Sequence, residues 1–202
     1  MGRKSIENVR KPQILAHFRK VLDREGVHKV SAVKIAKSMG VSPNLVLHYF
    51  DSKEAMVVAF FDEIMEGYIQ YLNEVLLDIP KGSQRLKVLI GSLFGVGENK
   101  ELVIDKPFYA FYYSSLFDHH FKLQFNYKYG LFAELVRLEV AANSPLNCTS
   151  REDLLKQAEF LLALFEGFSF SANIRPNDDN YFEELGQYFS EQACIFFKCG
   201  GK

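Results

Sequence analysis

Residues 31–53 read SAVKIAKSMGVSPNLVLHYFDSK, and this stretch predicts two short helices joined by a tight turn. Ser31 is a suitable N-cap for the first helix, and Gly40 ends it because glycine readily adopts the left-handed conformation of a C-cap. Ser42–Pro43 opens the second helix, since proline is favoured at the first helical position, and we expect that helix to end near Tyr49. A helix of this size fits a DNA major groove, which is roughly 12 Å wide. The stretch therefore predicts a helix-turn-helix.

One helix is predicted before this stretch and another after it. Over Asn8–Glu25 the apolar residues recur at helical spacing, which predicts the first helix of the chain. Asp51 and Ser52 are both suitable caps for the fourth helix, and Glu54 stands at capping-box spacing from Asp51. We expect this helix to end near Pro80.

The remaining residues predict five more helices and no strand. They lie over Ser83–Glu98, Asp105–Phe117, His119–Ala142, a segment capped by Thr149 with Glu152 and reaching Asn173, and Asp179–Lys198. The predicted fold is thus all-α with about nine helices. We divide it into a three-helix helix-turn-helix DNA-binding domain over residues 1–52 and a larger helical ligand-binding and dimerisation domain over residues 53–202.

Charge is distributed unevenly along the 202 residues. The chain carries a net charge of −1, yet residues 1–55 contain eleven Lys and Arg against five Asp and Glu. A basic end on an acidic remainder is typical of a protein that meets a polyanion at one end. The basic residues nearest the N-terminus either touch phosphate or the minor groove or remain solvated; they are Arg3, Lys4, Arg10 and Lys11.

The apolar segments are all too short to span a membrane, and the N-terminus does not have the apolar core of a signal peptide. We therefore expect a cytoplasmic protein that does not enter the membrane. No Ser-His-Asp set, glycine-rich phosphate loop or HExxH motif indicates an enzyme, and no residue pattern indicates a cofactor.

The helix-turn-helix contains a sequence motif that resembles one of a known protein family. His48-Tyr49-Phe50-Asp51-Ser52-Lys53-Glu54, together with Ile35-Ala36 and Gly40-Val41-Ser42, resembles the DNA-binding domain of the TetR (tetracycline-repressor-like) family. The resemblance covers roughly residues 8–60, and beyond them only the number and order of helices match. It implies a transcriptional regulator, most simply a repressor, that binds double-stranded operator DNA as a homodimer and is released by a small hydrophobic or aromatic effector.

The resemblance also implies roles for individual residues. It places base-edge contacts at Ser42, Pro43, Asn44 and His48, and phosphate contacts at Ser31, Tyr49 and Lys53. Asn44 has the amide geometry to pair with adenine. Leu47 stands where many relatives carry a tyrosine, and Pro43 lacks a donor, so we expect few direct base contacts and a contribution from DNA shape.

The segment over residues 151–173 is apolar nearly all round, which indicates burial on more than one side. Ala163, Gly167 and Ser171 recur every four residues and would let another helix approach closely. We assign this segment and residues 179–198 to a two-fold four-helix homodimer interface, as the resemblance also implies. Burial of the segment within a monomer is the alternative.

Aromatic residues are concentrated over residues 108–121. We predict an effector pocket touching Phe108, Tyr112, Tyr113 and His120, whereas simple core packing of the same rings is the alternative. His119 and His120 adjoin Asp118, but neighbouring side chains of a helix point about 100° apart, so no metal site is expected.

Two other functions are retained for comparison: an all-helical enzyme, and a small-molecule-binding protein without regulated DNA release. Activation of transcription, or an effector that promotes DNA binding, would keep the fold and change only the direction of the response.

The chain has three cysteines, Cys148, Cys194 and Cys199. We predict reduced thiols, because their spacing does not match that of zinc or redox motifs. A disulfide between Cys194 and Cys199 is a lesser alternative, since residues five apart on one helix do not face each other well.

Overall fold

The structure is a computed structural model that describes residues 3–96, 106–145, 150–174 and 179–199. Over these ranges it contains α-helices and one 3-10 helix but no strand, which confirms the all-α prediction. The α-helices are α1 (Arg3–Glu25), α2 (Ala32–Met39), α3 (Pro43–Tyr49), α4 (Lys53–Leu76), α5 (Ser83–Leu93), α6 (Lys106–Phe117), α7 (His119–Asn143), α8 (Arg151–Ile174) and α9 (Asp179–Phe196), and the 3-10 helix spans Val27–Lys29. Among the described helices, none is long and apolar enough to cross a membrane.

The chain forms two compact units, and the first combines two separate stretches, Met1–Ile64 and Lys106–Asn126. Its core is apolar, because each of its helices buries one face; the largest buried side chains include Ile14, Phe18, Ile35, Met56, Phe61 and Phe111. The helices α1, α2 and α3 contact one another, and α1 also contacts α6. The functional division at residue 52 stays a prediction, since compactness alone does not test it.

The second unit comprises Met65–Asp105 and Tyr127–Lys202. In it α9 packs against α5 and α8. The Phe94 ring, at the end of α5, lies 5.5 Å from the Phe168 ring and 5.7 Å from the Phe189 ring. Gly186 of α9 lies so close to the end of α5 that a β-carbon at this position would overlap the Phe94 carbonyl oxygen.

A half-buried arginine joins three helices of the second unit. The Arg85 guanidinium donates two hydrogen bonds to the Glu139 carboxylate, each 2.7 Å long, and two more to the carbonyl oxygens of Leu76 and Ile79. Both ionic side chains are about 16–17 % exposed. The bidentate pairing lowers the pKa of Glu139 and raises that of Arg85, because each charge stabilises the other. Asn143 extends the network by accepting from the Gly82 N–H at 2.7 Å.

Helix ends differ from the sequence prediction at several points. The first helix begins at Arg3 rather than Asn8 and continues through Pro12, which is exposed. The fifth ends at Leu93 rather than Glu98, because Gly95 adopts a left-handed φ of 69° directly after it. The fourth ends at Leu76, before the predicted end near Pro80.

A serine hydroxyl caps the start of α4 and the start of α8, and Ser52 at α4 is one of the two caps that the sequence predicts. At the start of α4 the Ser52 hydroxyl, not Asp51, accepts from the Ala55 N–H at 3.0 Å. At the start of α8 the Ser150 hydroxyl accepts from the Asp153 N–H at 3.1 Å and donates to the Asp153 carboxylate at 2.7 Å. Thr149 lies outside the described residues. A serine next to an equally suitable residue cannot be separated from it by sequence pattern alone.

Candidate nucleic-acid interface

The turn between α2 and α3 has the conformation that the sequence predicts. Gly40 adopts φ 70° and ψ 31°, and its N–H donates to the carbonyl oxygens of Ala36 and Lys37. The Val41 N–H donates to the Ala36 carbonyl oxygen at 3.0 Å and closes the turn. Val46 of α3 is fully buried. The turn thus holds one side of α3 against the core and leaves the opposite side exposed to solvent.

The exposed side of α3 carries most of the residues predicted to read bases. Ser42, Pro43, Asn44 and His48 are all exposed. Ser42 is the N-cap residue, yet its hydroxyl makes no hydrogen bond to the backbone of α3. Leu47 lies on the same side and is 47 % exposed. Ser42, Pro43 and Asn44 lie at the N-terminus of α3, the part of a recognition helix that meets base edges in a major groove. Leu47 and His48 continue the same side into the last turn of the helix.

The residues predicted to contact phosphate are partly engaged within the protein. Ser31 caps α2, where its hydroxyl accepts from the Lys34 N–H at 3.4 Å. The half-buried Lys53 ammonium donates to the His28 carbonyl oxygen at 3.4 Å. The Tyr49 ring packs edge-on against His48 at 5.1 Å. All three belong to the first unit.

Positive charge in the first unit is only partly neutralised. Glu25 pairs with Lys34 at 2.5 Å and with Arg24 at 2.7 Å, and these hydrogen bonds lower the pKa of Glu25 to about 2. By contrast, Lys29 and Lys37 are exposed and make no ion pair within the described part of the chain. The first unit therefore offers cationic side chains to an external anion.

The basic residues near the N-terminus belong to α1. Arg10 donates to the Gln13 amide oxygen at 3.0 Å. Lys11 pairs with Glu7 at 2.8 Å, and its ammonium lies 5.6 Å from the centre of the Phe50 ring. Arg3 and Lys4 belong to the same helix by their backbone.

The predicted effector residues divide into two groups. Phe108 is buried, and both its ring and the ring of the exposed Tyr112 pack on Phe125, at 5.5 and 5.4 Å. Tyr113 is 55 % exposed and packs on Phe117, and His120 is exposed as well. The structure thus brings Phe108 and Tyr112 together but leaves Tyr113 and His120 on the surface.

Phe61 of α4 lies at the centre of this aromatic cluster. Its ring stacks on Phe111 at 4.1 Å and packs on Phe125 at 5.4 Å and Phe108 at 5.8 Å, so α4, α6 and α7 meet here within the first unit. A neighbouring apolar cavity between α1, α4 and α6 has a volume of about 10 Å³. That is about the size of one water molecule, so an effector could enter only after side chains move.

Asp118 has a structural role at the start of α7. Its carboxylate accepts from the His120 N–H at 2.8 Å and from the Phe121 N–H at 3.2 Å. These bonds satisfy two backbone donors at the helix N-terminus, where a negative charge is also favoured by the helix dipole. Asp118 is thereby committed to capping rather than to the adjacent histidines.

The second unit presents an apolar face on α8 and α9. Phe160, Phe170 and Ile174 of α8 are 42–64 % exposed, and Ala163 and Gly167 lie in the same row. A β-carbon added at Gly167 would meet no atom within 4 Å. On α9 the exposed apolar residues are Tyr181, Tyr188, Ile195 and Phe196.

An open groove of about 730 Å³ lies in the second unit between the end of α4, α5 and α9. Apolar residues such as Val75 and Val88 line it together with Lys87, Ser190 and Glu191. The sequence pattern does not predict this groove, because α9 is distant in sequence from α4 and α5 and the lining residues share no local motif.

Part of the first unit matches a known protein family. A family model described as "Bacterial regulatory proteins, tetR family" matches residues 14–60, which include α2 and α3. The chain is 31 % identical over 124 residues to the HTH-type transcriptional regulator BetI of Vibrio campbellii. That alignment covers 60 % of this chain and 62 % of the relative, so the chain spans about three fifths of the length of this relative.

Solved structures share the fold along most of the chain. A Saccharomonospora viridis protein in complex with choline has a TM-score of 0.73 and 16 % identity, with 91 % of this chain and 96 % of that chain covered. The transcriptional regulator FadR of Bacillus subtilis in complex with stearoyl-CoA has a TM-score of 0.66 and 17 % identity, with coverage of 90 % and 96 %.

Proposed function

Because the chain belongs to the TetR family of bacterial transcriptional regulators, which are not enzymes, we propose that it represses transcription by binding operator DNA through α3. The observation that supports this most directly is the exposed edge of Ser42, Pro43, Asn44 and His48 on a helix held in place by α1 and α2. Its site of action would be the bacterial cytoplasm, where operator DNA lies.

The first test is DNA binding measured by fluorescence anisotropy across a salt series, on DNA selected from a random-sequence pool. Replacing Lys37 by alanine should weaken binding to all sequences and reduce the salt dependence by about one counterion, because this exposed lysine would contact phosphate. Lys156→Ala on α8 is the charge-matched control and should leave binding unchanged.

The base-reading role is tested separately with Asn44→Ala and His48→Ala. Loss of a base contact is expected to cost about 1–3 kcal/mol on the selected sequence and little on random DNA. Equal weakening on both kinds of DNA would refute base reading by α3, and failure to select any sequence would refute the proposed function itself.

We further propose that the apolar face of α8 and α9 forms a homodimer interface. Exposed aromatic rings beside Ala163 and Gly167 suit close packing of a second copy, and dimeric helix-turn-helix proteins place two recognition helices roughly 34 Å apart on DNA. In sedimentation experiments Phe170→Glu is expected to yield monomers. Phe117→Glu, which changes an exposed phenylalanine of α6, should leave the dimer intact.

The proposed effector site is the aromatic cluster that includes Phe108 and Tyr112. A small apolar or aromatic molecule that separated the Phe61 and Phe111 rings would move α4, which begins directly after α3 in the same unit. The two recognition helices of the dimer would then no longer match the operator, so DNA would be released. The structural relatives in complex with choline and stearoyl-CoA make these two compounds suitable first probes.

A titration of the protein–DNA complex with either probe tests this coupling. An effector is expected to weaken DNA binding by about 5–150-fold, the usual range of coupling between two sites. Tyr112→Ala should reduce the response, whereas Tyr127→Ala, at an exposed tyrosine outside the cluster, should not. Unchanged DNA affinity with a probe that demonstrably binds would refute the coupling, and tighter DNA binding would reverse its direction.

A further inference from the structure

The end of α9 reverses direction through a left-handed residue. Lys198 adopts φ 53°, which is uncommon for a residue other than glycine. The Cys199 N–H then donates to the Cys194 carbonyl oxygen at 3.0 Å, which is the six-residue bond of a Schellman motif. In that motif the first and last residues of the turn lie side by side, and here both are cysteines.

The two cysteines consequently lie next to each other at the end of the helix, although they are five positions apart in the sequence. The sequence-based argument against this contact was wrong, because it assumed that the helix continues through Cys199, whereas α9 ends at Phe196. Both residues are free cysteines and at most 5 % exposed. Cys148 lies outside the described residues.

The surroundings of Cys194 favour its thiolate. Cys194 lines the open groove of the second unit together with Lys87, Ser190 and Glu191. The hydrogen bond from Cys199 lowers the pKa of Cys194, and the Lys87 charge and the Ser190 hydroxyl add to this effect against burial and the Glu191 carboxylate. The same contact raises the pKa of the Cys199 thiol, so the proton of the pair stays on Cys199.

We propose that Cys194 and Cys199 are a peroxide-reactive dithiol site, reached through the groove, that closes to a disulfide. The Cys194 thiolate attacks one peroxide oxygen, the O–O bond breaks, and the departing hydroxide takes up a proton to leave as water. The Cys199 sulfur then attacks the Cys194 sulfenic acid, forms the S–S bond and displaces a second water. Two thiols are oxidised and one hydroperoxide is reduced.

The direct test treats the reduced full-length protein with hydrogen peroxide and maps its cysteines by mass spectrometry. We expect the loss of two of the three thiols and of two hydrogen atoms from a peptide that contains Cys194 linked to Cys199. Three thiols that persist under conditions in which an exposed thiol reacts would overturn the proposal, since the pair would then be only the apolar contact that usually closes a Schellman motif. A disulfide through Cys148, or between two copies, would overturn it equally.

Single variants distinguish the cysteine that attacks peroxide from the cysteine that closes the disulfide, and they do so independently of the wild-type result. Cys199→Ser should stop the reaction at the Cys194 sulfenic acid, which dimedone traps, and Cys194→Ser should abolish rapid reaction and leave Cys199 unlabelled. Circular dichroism confirms that each variant is folded. Lys87→Met should slow the reaction, whereas Lys156→Met on α8 should not. If dimedone labelled Cys199 in Cys194→Ser as fast as it labels Cys194 in Cys199→Ser, the assignment of Cys194 as the nucleophile would be refuted.

Discussion

Replacement of Gly186 by alanine is expected to destabilise the protein, although alanine is the better helix former by about 1 kcal/mol. A β-carbon at this position would overlap the Phe94 carbonyl oxygen and lie 3.4 Å from a ring carbon of Phe168. Phe94 caps the end of α5, so its carbonyl moves only if the helix end moves. Overpacking of this kind costs about 1–3 kcal/mol, and we expect the free energy of unfolding to fall by that amount.

Thermal and urea unfolding at a single fixed protein concentration would measure this change, because the stability of the proposed dimer would depend on concentration. For a chain of this size each kcal/mol corresponds to a shift of about 2–4 °C in Tm. Gly67→Ala in α4 is the matched control, since a β-carbon there meets no atom within 4 Å, and it should raise Tm slightly. If both variants were stabilised, the close approach of α5 and α9 would be refuted.

Three other substitutions test local features of the fold. Arg85→Met should cost about 2–4 kcal/mol, because it removes the donor to the Leu76 and Ile79 carbonyl oxygens and the bidentate partner of Glu139, whose carboxylate keeps the hydrogen bond from Asn143. Because Arg85 lowers the pKa of Glu139, the pair stabilises the wild type at neutral pH. This gain declines as the pH falls below about 4.5 and is lost once the pH passes the lowered pKa, where urea unfolding of the variant should approach that of the wild type. Gly40→Ala should lower stability by roughly 1 kcal/mol through its left-handed φ, and unchanged Tm would contradict the strained turn. Ser52→Ala should cost about 1 kcal/mol in the same assay while Asp51→Ala costs little, and the reverse order would restore Asp51 as the cap.

The helix-turn-helix could be predicted closely because its signals are local. Gly40 must adopt positive φ, Ser31 caps a backbone N–H three residues on, and Pro43 fixes the first turn of α3; each effect depends on neighbouring residues alone. The start of α1 is the exception, since the predicted helix over Asn8–Glu25 already includes Pro12 but begins later than the observed Arg3. Local sequence specifies the ends of a helix only weakly.

The sites outside this region depend on contacts between distant residues. Nothing in the aromatic run distinguishes Phe108, which is buried beneath α4, from Tyr113, which is exposed, because the difference is set by the position of Phe61. The groove beside α5 combines residues of three helices. The cysteine pair was missed because its geometry depends on where α9 stops, and helix ends are the least predictable feature of a sequence.

The division of the first unit has a consequence for biosynthesis. Residues 65–105 separate its two stretches, so a ribosome releases α1 to α3 well before α6 emerges. Until then the apolar face of α1 that packs against α6 stays uncovered, as does the Phe61 ring that stacks on Phe111. Folding of the first unit, although its first stretch is translated first, is therefore expected to finish only after residue 126 has been made, and the nascent chain is exposed to chaperones and proteases during that interval.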